Sequence, residues 1–311
     1  NNIKSLVLDE ADEMLDLGFK QDLDIIVNQS PKDKRILMFS ATIPKKILSL
    51  ASKYQKDAVR IEATSLGKAH TDISYETYMI KKYDIENAIF NFLRFHDDKT
   101  IIIFCSTRNS VTHISSRILN RGFSVVSLSG ALNQSERFKA LQSIKNGRCK
   151  ICVATDVAAR GIDLVNLDIV IHAELPQNSE ILIHRSGRTG RAGNKGRSIL
   201  FCSPGERRRY ERLVHSAKVR PVINKFLSQE EIERKDNEKI INYISKSQKK
   251  SPGELKLANE LLTQFSSEDI AVALIENFKG KLPPIEEVES FSEEKVNLMK
   301  SDRKKKKRGE K

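Results

Sequence analysis

Short runs of consecutive apolar residues, each closed by small, polar or charged ones, recur along most of the chain. The first is Leu6, Val7 and Leu8, which stops at Asp9, Glu10, Ala11 and Asp12. An unbroken apolar run of strand length predicts a buried parallel strand, here with carboxylates at its C-terminal end. Ile36 to Phe39 repeats the pattern and stops at Ser40, Ala41 and Thr42. Pro44 then suits the first turn of a helix running on through Leu48 and Leu50. Further strands are predicted over Tyr75 to Ile80, Ile101 to Phe104, Ser124 to Leu128, Lys150 to Ala154, Ile169 to Ala173 and Ser198 to Cys202, with helical stretches between them. Strand-helix alternation of this kind predicts an α/β fold built on parallel, doubly wound sheets. The pattern breaks at ATSLGKAHTD, Ala63 to Asp72, whose small and polar residues predict an interdomain linker.

After Tyr210 no further strand is expected. Ser251, Pro252 and Glu254 form a capping box with proline at the first helical position, and Leu255, Ala258, Leu261, Leu262 and Phe265 then share one face. Ser266 with Asp269 opens another helix, carrying Ile270, Ala273 and Leu274 and ending near Gly280. These apolar faces require a cover, and packing within the chain is favoured over homodimerisation. The terminal SDRKKKKRGEK has almost no apolar residue and is expected to be disordered, serving either salt-sensitive binding of a polyanion or solubility.

Length and charge sharpen this picture. At 311 residues the chain has room for about two domains. A net charge of +13 points to a polyanionic partner. The last twelve residues hold +6 of it, so the body is basic without its tail. Cys105, Cys149, Cys152 and Cys202 are too few and scattered for a disulfide framework, which predicts a reducing, cytoplasmic setting. Cys149 and Cys152 lie in a predicted strand, where positions three apart face opposite ways and cannot chelate one metal ion. No apolar run approaches the ~18 to 20 residues that span a bilayer, so no membrane association is expected. The chain opens without methionine; Asn1 is not expected to be a natural start, and an upstream targeting segment stays open.

The strand ends carry the candidate chemistry, as open α/β sheets bind ligands there. Adjacent carboxylates at Asp9 and Glu10 repel unless a cation lies between them, and a Mg²⁺ ion brought by a nucleotide supplies one. Ser40 and Thr42, at an equivalent strand end, can hydrogen-bond those carboxylates. Ser106, Thr107 and Arg108 follow one later strand, Ser129 and Gly130 another, Thr155 and Asp156 a third. Hydroxyls, open glycine backbone and arginine at one sheet edge suit a sugar-phosphate track. In HRSGRTGRAG, His184 to Gly193, Arg185, Arg188 and Arg191 recur every third residue and are predicted to project toward one side of a helical turn. Their planar forks suit phosphate oxygens, and Gly187, Gly190 and Gly193 leave the backbone open to a ligand. Taken alone the run is a solvated basic helix.

It does not stand alone. VLDEADEMLDLGF, SAT, IIFCSTR, the QSER segment from Gln134 to Arg137, ATDVAARGIDL and HRSGRTGRAG occur in this order between Val7 and Gly193, and the chain resembles the DEAD-box RNA helicases. The resemblance implies two RecA-like domains joined by a linker, with ATP and RNA as ligands. It implies that Asp9 holds Mg²⁺ through water and that Glu10 positions or deprotonates the attacking water. Asp12, Ser40, Thr42, Arg160 and His184 would couple the domains, Asp163 would lie near the ribose, and Arg188 and Arg191 would be arginine fingers on the γ-phosphate. Thr107, Arg108, Gly130, Gln134, Arg137 and Thr155 would serve the RNA side. Arginine fingers contribute about three to five orders of magnitude in rate, and RNA bound across both domains would favour their closed state.

One family feature is missing. No glycine is followed five positions later by Gly-Lys, the phosphate-cradling loop, which in the family precedes the DEAD residues. The expected layout is therefore the second half of one RecA-like domain over 1–63, with apolar faces left exposed, a linker over 64–73, a complete RecA-like domain over 74–210, a helical extension over 211–285 resembling those of bacterial members, and a basic disordered tail over 286–311. This chain alone is expected to hydrolyse little or no ATP. The alternatives are a nonenzymatic RNA-binding or annealing module and a DNA-acting relative of the same superfamily.

Overall fold

The computed structural model describes residues 2–16, 18–40, 43, 45–55, 57–61, 72–159, 167–191, 193–246 and 251–292. Thr42, Pro44, Arg160, Asp163, nearly all of the expected linker and the lysine-rich tail lie outside them. The chain divides into two compact units, Asn1–Ser65 and Leu66–Lys311.

In the first unit, β1 (Ser5–Leu8) is followed by α1 (Ala11–Asp16), α2 (Lys20–Gln29), β2 (Arg35–Met38) and α3 (Lys45–Tyr54). The two strands pair in parallel, Leu6 opposite Ile36 and Leu8 opposite Met38. Side chains alternate across a strand, so Leu6 and Leu8 pack with Leu23, Leu50 and Met38 while Val7 turns the other way. Val7 is 54% exposed and Phe39 55%. Only one face of this sheet is buried among the described residues.

The second unit comprises β3 (Ile73–Ile80), α4 (Ile85–Phe95), β4 (Ile101–Cys105), α5 (Arg108–Asn120), β5 (Val125–Leu128), α6 (Gln134–Lys145), β6 (Ile151–Thr155), α7 (Asp156–Ala159), β7 (Ile169–His172), α8 (Ser179–Ser186), β8 (Gly196–Cys202), α9 (Arg207–Ser216), β9 (Val222–Asn224), α10 (Gln229–Lys246), α11 (Pro252–Gln264), α12 (Ser267–Lys279) and β10 (Ser290–Phe291). Among the described residues the sheet runs β10-β3-β8-β7-β4-β6-β5, with β9 also on β3. All pairings are parallel except β10 against β3. Both faces are covered, which is why β4 is apolar at every position. Ile101, Ile103 and Cys105 pack with α4 and α5 through Phe92, Val111 and Ile114. Ile102 and Phe104 join Ile144 and Ala158 on the opposite face.

Three expectations need correction. Strands do not stop after Tyr210, because β9 and β10 extend the sheet along β3. The segment from 286 is not wholly a tail. Glu286 and Asn91 exchange two hydrogen bonds, the backbone N–H of Lys81 donates to the Glu289 carbonyl, and Phe291 is buried. Nor, among the described residues, does packing within the chain cover the apolar face of α11, where Leu255, Leu261, Leu262 and Phe265 stay exposed; on α12, by contrast, Ile270 and Leu274 are half-buried and Phe278 meets the Tyr243 ring of α10. Both helices nevertheless open on the expected capping boxes, at Ser251 with Glu254 and at Ser266 with Asp269.

Candidate functional site

In the first unit the backbone brings the acidic stretch to the end of β2. Phe39 N–H donates to the Leu8 carbonyl (2.8 Å), and Ala11 N–H donates to the Phe39 carbonyl (3.0 Å). Asp9, Glu10 and Ser40 therefore stand at one end of the two strands. Asp9 is exposed, and its carboxylate accepts the Glu10 N–H at 2.9 Å. Glu10 has φ of +52°, a left-handed conformation that costs a non-glycine residue about 1–3 kcal/mol and gathers at functional sites. Asp12 is buried in the first turn of α1. Exposed carboxylate oxygens suit a Mg²⁺ ion held through water and substrate phosphates. Among the described residues no group of three or more His, Cys, Asp or Glu is arranged as an all-protein metal cage.

In the second unit the expected RNA-side residues gather at the C-terminal ends of neighbouring strands. β4, β6 and β5 lie side by side, with Cys105 opposite Thr155 and Leu128 opposite Ala154. Thr107 caps α5, accepting the Ser110 N–H at 3.0 Å. Arg108 is exposed and lies over Gly130, where a Cβ would stand 3.0 Å from Nη2. Gly130 thus lets two loops touch. Gln134 opens α6, whose capping box joins Asn133 and Glu136, and Arg137 is half-buried one turn on. Thr155 is only 8% exposed, so it holds a loop more readily than it offers a hydroxyl.

The arginine run departs from expectation. α8 ends at Ser186, so the three arginines share no helical face. Arg188 and Arg191 lie in the following loop, while Arg185 is 3% exposed and turned inward. Its guanidinium grips Asp156 bidentately, Nε to Oδ1 at 2.6 Å and Nη2 to Oδ2 at 2.8 Å, and lies 5.3 Å from the Phe104 ring centroid. Beside it, Ser186 Oγ and Ser198 Oγ are 2.8 Å apart, and Ser198 Oγ is 3.1 Å from His172 Nε2. Complete burial, reinforced by the Arg185 charge, pushes the His172 imidazole well below its ordinary pKa.

The loop itself is pinned. Arg188 N–H donates to the Arg185 carbonyl and Thr189 N–H to the Ser186 carbonyl, both at 3.1 Å. Thr189 is buried, its hydroxyl donating to the Leu167 and Asp168 carbonyls. Gly190 has φ of +66°, and a Cβ there would sit 2.6 Å from Ile73 Cγ1. Its glycine serves packing inside the unit. Arg191 is exposed and donates from Nε to the Gly187 carbonyl (2.7 Å), and His184 is half-buried in the last turn of α8. The sequence pattern offered Asp156 and Arg185 to a phosphate ligand, and the structure pairs them with each other instead. Their one visible signal is an acid directly after a strand end and an arginine at the end of an apolar helix.

A profile described as DEAD/DEAH box helicase matches residues 1–50, and one described as helicase conserved C-terminal domain matches residues 84–193. The chain is similar to the ATP-dependent RNA helicase DeaD of Buchnera aphidicola subsp. Baizongia pistaciae, at 34% identity over 94% of this chain and 49% of that protein. It is also similar to the ATP-dependent RNA helicase DbpA of Bacillus subtilis, at 35% identity over 67% of this chain and 43% of that one. Saccharomyces cerevisiae Dbp5 bound to RNA and ADP BeF3 aligns with a TM-score of 0.67 at 26% identity, over 75% of this chain and 62% of that one. Parallel strands with helices on both faces, and these neighbours, define the class as RecA-like helicase domains. Within that class the chain belongs to the DEAD-box RNA helicase family. It spans about half the length of the curated relatives it matches.

Proposed function

We propose that the protein containing this chain is an RNA-dependent ATPase that separates or remodels RNA duplexes in the cytoplasm. The observation that carries this most directly is the row of Thr107, Arg108, Gly130, Gln134 and Arg137 along the ends of β4 and β5, with Thr155 closing β6 between them. Such a row presents hydroxyls, amides and guanidinium groups to a sugar-phosphate path without reading base edges. In the first unit Asp9 would hold Mg²⁺ through water and Glu10 would orient the attacking water. Bound Mg²⁺ supplies charge neutralisation on the phosphates. Arg188 and Arg191 would stabilise the charge that develops on the γ-phosphate. Asp12, Ser40, Thr42, Arg160 and His184 would couple hydrolysis to RNA, and Asp163 would meet the ribose. The exposed apolar positions of α11 and α12 support a homodimer interface. This 311-residue chain, which contains no Gly-x₄-Gly-Lys loop, is proposed to hydrolyse little ATP by itself.

The test is displacement of one strand from a short RNA duplex by the full-length protein, with and without ATP. ATP-dependent displacement that disappears in Glu10→Gln is expected. Displacement or annealing indifferent to ATP would instead favour a nonenzymatic RNA-binding module, and stronger competition by DNA than by RNA of equal length would favour a DNA substrate.

A further inference from the structure

Arg185 and Asp156 join two loops that the proposed function gives to different ligands. Asp156 follows Thr155 directly, at the strand end beside the Thr107 loop. Arg185 precedes Arg188 by three residues, and its carbonyl accepts the N–H groups of Gly187 and Arg188, so the arginine loop hangs on the backbone of Arg185 itself. The contact between them is a two-point charge-assisted fork, which fixes orientation as well as distance. It is deeply placed: the Arg185 side chain is 4% exposed, and its Nη1 is buried with no hydrogen-bond partner in the described structure. A buried ion pair contributes little net stability compared with an apolar pair of the same volume. Stability alone is therefore a weak reason to bury an arginine where leucine would pack, and geometry is a better one.

We propose that the Arg185–Asp156 pair is a positioning element. It transmits the position of the RNA-side strand ends to Arg188 and Arg191, so that RNA binding sets the arginine loop for hydrolysis. Neither residue touches substrate, and both act through their neighbours. Lysine at 185 retains the charge but offers a point donor in place of the fork, while asparagine at 156 retains shape and removes the charge. This inference rests on the helicase reading above, and the experiment separates the two.

ATP hydrolysis by the full-length protein is measured over a range of single-stranded RNA and of ATP for wild type, Arg185→Lys, Asp156→Asn and the double variant. RNA and nucleotide affinities are measured separately, and amide exchange over 187–191 is followed with and without RNA. The expected result is an RNA-stimulated kcat at least tenfold lower in each single variant, with both affinities within about threefold of wild type. The double variant should be no worse than the singles, because one interaction has been removed twice. RNA should slow exchange in the arginine loop of the wild type and leave it unchanged in the variants. A kcat within twofold of wild type overturns the proposal. So does a loss confined to KM, or unfolding of both single variants, which would make the pair a stability contact only. A wild type that shows neither RNA stimulation nor loop protection overturns the helicase reading itself, and this inference with it.

Discussion

At Gly190 the backbone is left-handed and closely packed, so its substitution is decided by one residue's geometry. Alanine there meets a left-handed penalty of about 1–2 kcal/mol in addition to a contact of 2.6 Å with Ile73 Cγ1 and one of 3.2 Å with the Asp72 carbonyl. Gly190→Ala is expected to destabilise the second unit by about 2 kcal/mol or more, lowering the thermal midpoint by several degrees. A second residue-scale prediction concerns His96, packed against Phe92 and 3.3 Å from Arg197 Nη1. Burial, reinforced by that guanidinium, lowers its pKa from 6.5 to about 4. A histidine depressed on folding contributes stability that is complete above the unfolded pKa near 6.5 and is lost as pH falls toward 4. Glu76, whose carboxylate is held below its ordinary value by the bidentate Arg197 against the opposing effect of burial, adds a loss in the same direction below about 4.5. Urea midpoints should fall between pH 6.5 and 4, and more shallowly in His96→Gln.

Among the elements, α10 is held to the sheet domain by charge as much as by apolar contact. Asp236, 2% exposed, is gripped by Arg94, whose guanidinium also donates to the Pro283 carbonyl, and Lys239 bridges Asp236 and Asp97. Asp236→Ala leaves a largely buried cation without its partner and is expected to cost about 3 kcal/mol, read as a lower urea midpoint with faster amide exchange along α10. None of this was visible in the sequence, because Arg94 and Asp236 are distant in the chain and each looks like an ordinary helical surface charge. The capping boxes at Ser251 and Ser266 were visible because their signal is complete within four residues. β9 and β10, three and two residues long, were not, because such strands exist only through the free edge that β3 offers them. The alternation of β4, β6 and β7 with helices was readable because both their faces are buried. The arginine run misled for a definite reason: spacing by three implies one face only while a helix continues, and α8 stops at Ser186. The sequence therefore located the loop that carries Arg188 and Arg191 but not the inward turn of Arg185.

For the molecule as a whole, the charge of +13 and the row at the ends of β4, β6 and β5 make one quantitative expectation about RNA. Binding of single-stranded RNA should weaken with salt, with a slope of about −0.7 in log K against log salt for each phosphate neutralised. Arg108→Ala is expected to reduce that slope by roughly one such unit with little change among RNA sequences, as fluorescence anisotropy titrations at several salt concentrations would show. The central claim reaches further, to RNA-dependent ATP hydrolysis that uses the carboxylates of Asp9 and Glu10 together with the guanidinium groups of Arg188 and Arg191. The most direct measurement is steady-state phosphate release by the full-length protein as RNA is added, in wild type, Glu10→Gln and Arg188→Gln. Release that rises with RNA in the wild type and falls by about two orders of magnitude or more in both variants is the predicted result. Release that ignores RNA, or survives both substitutions, would contradict it.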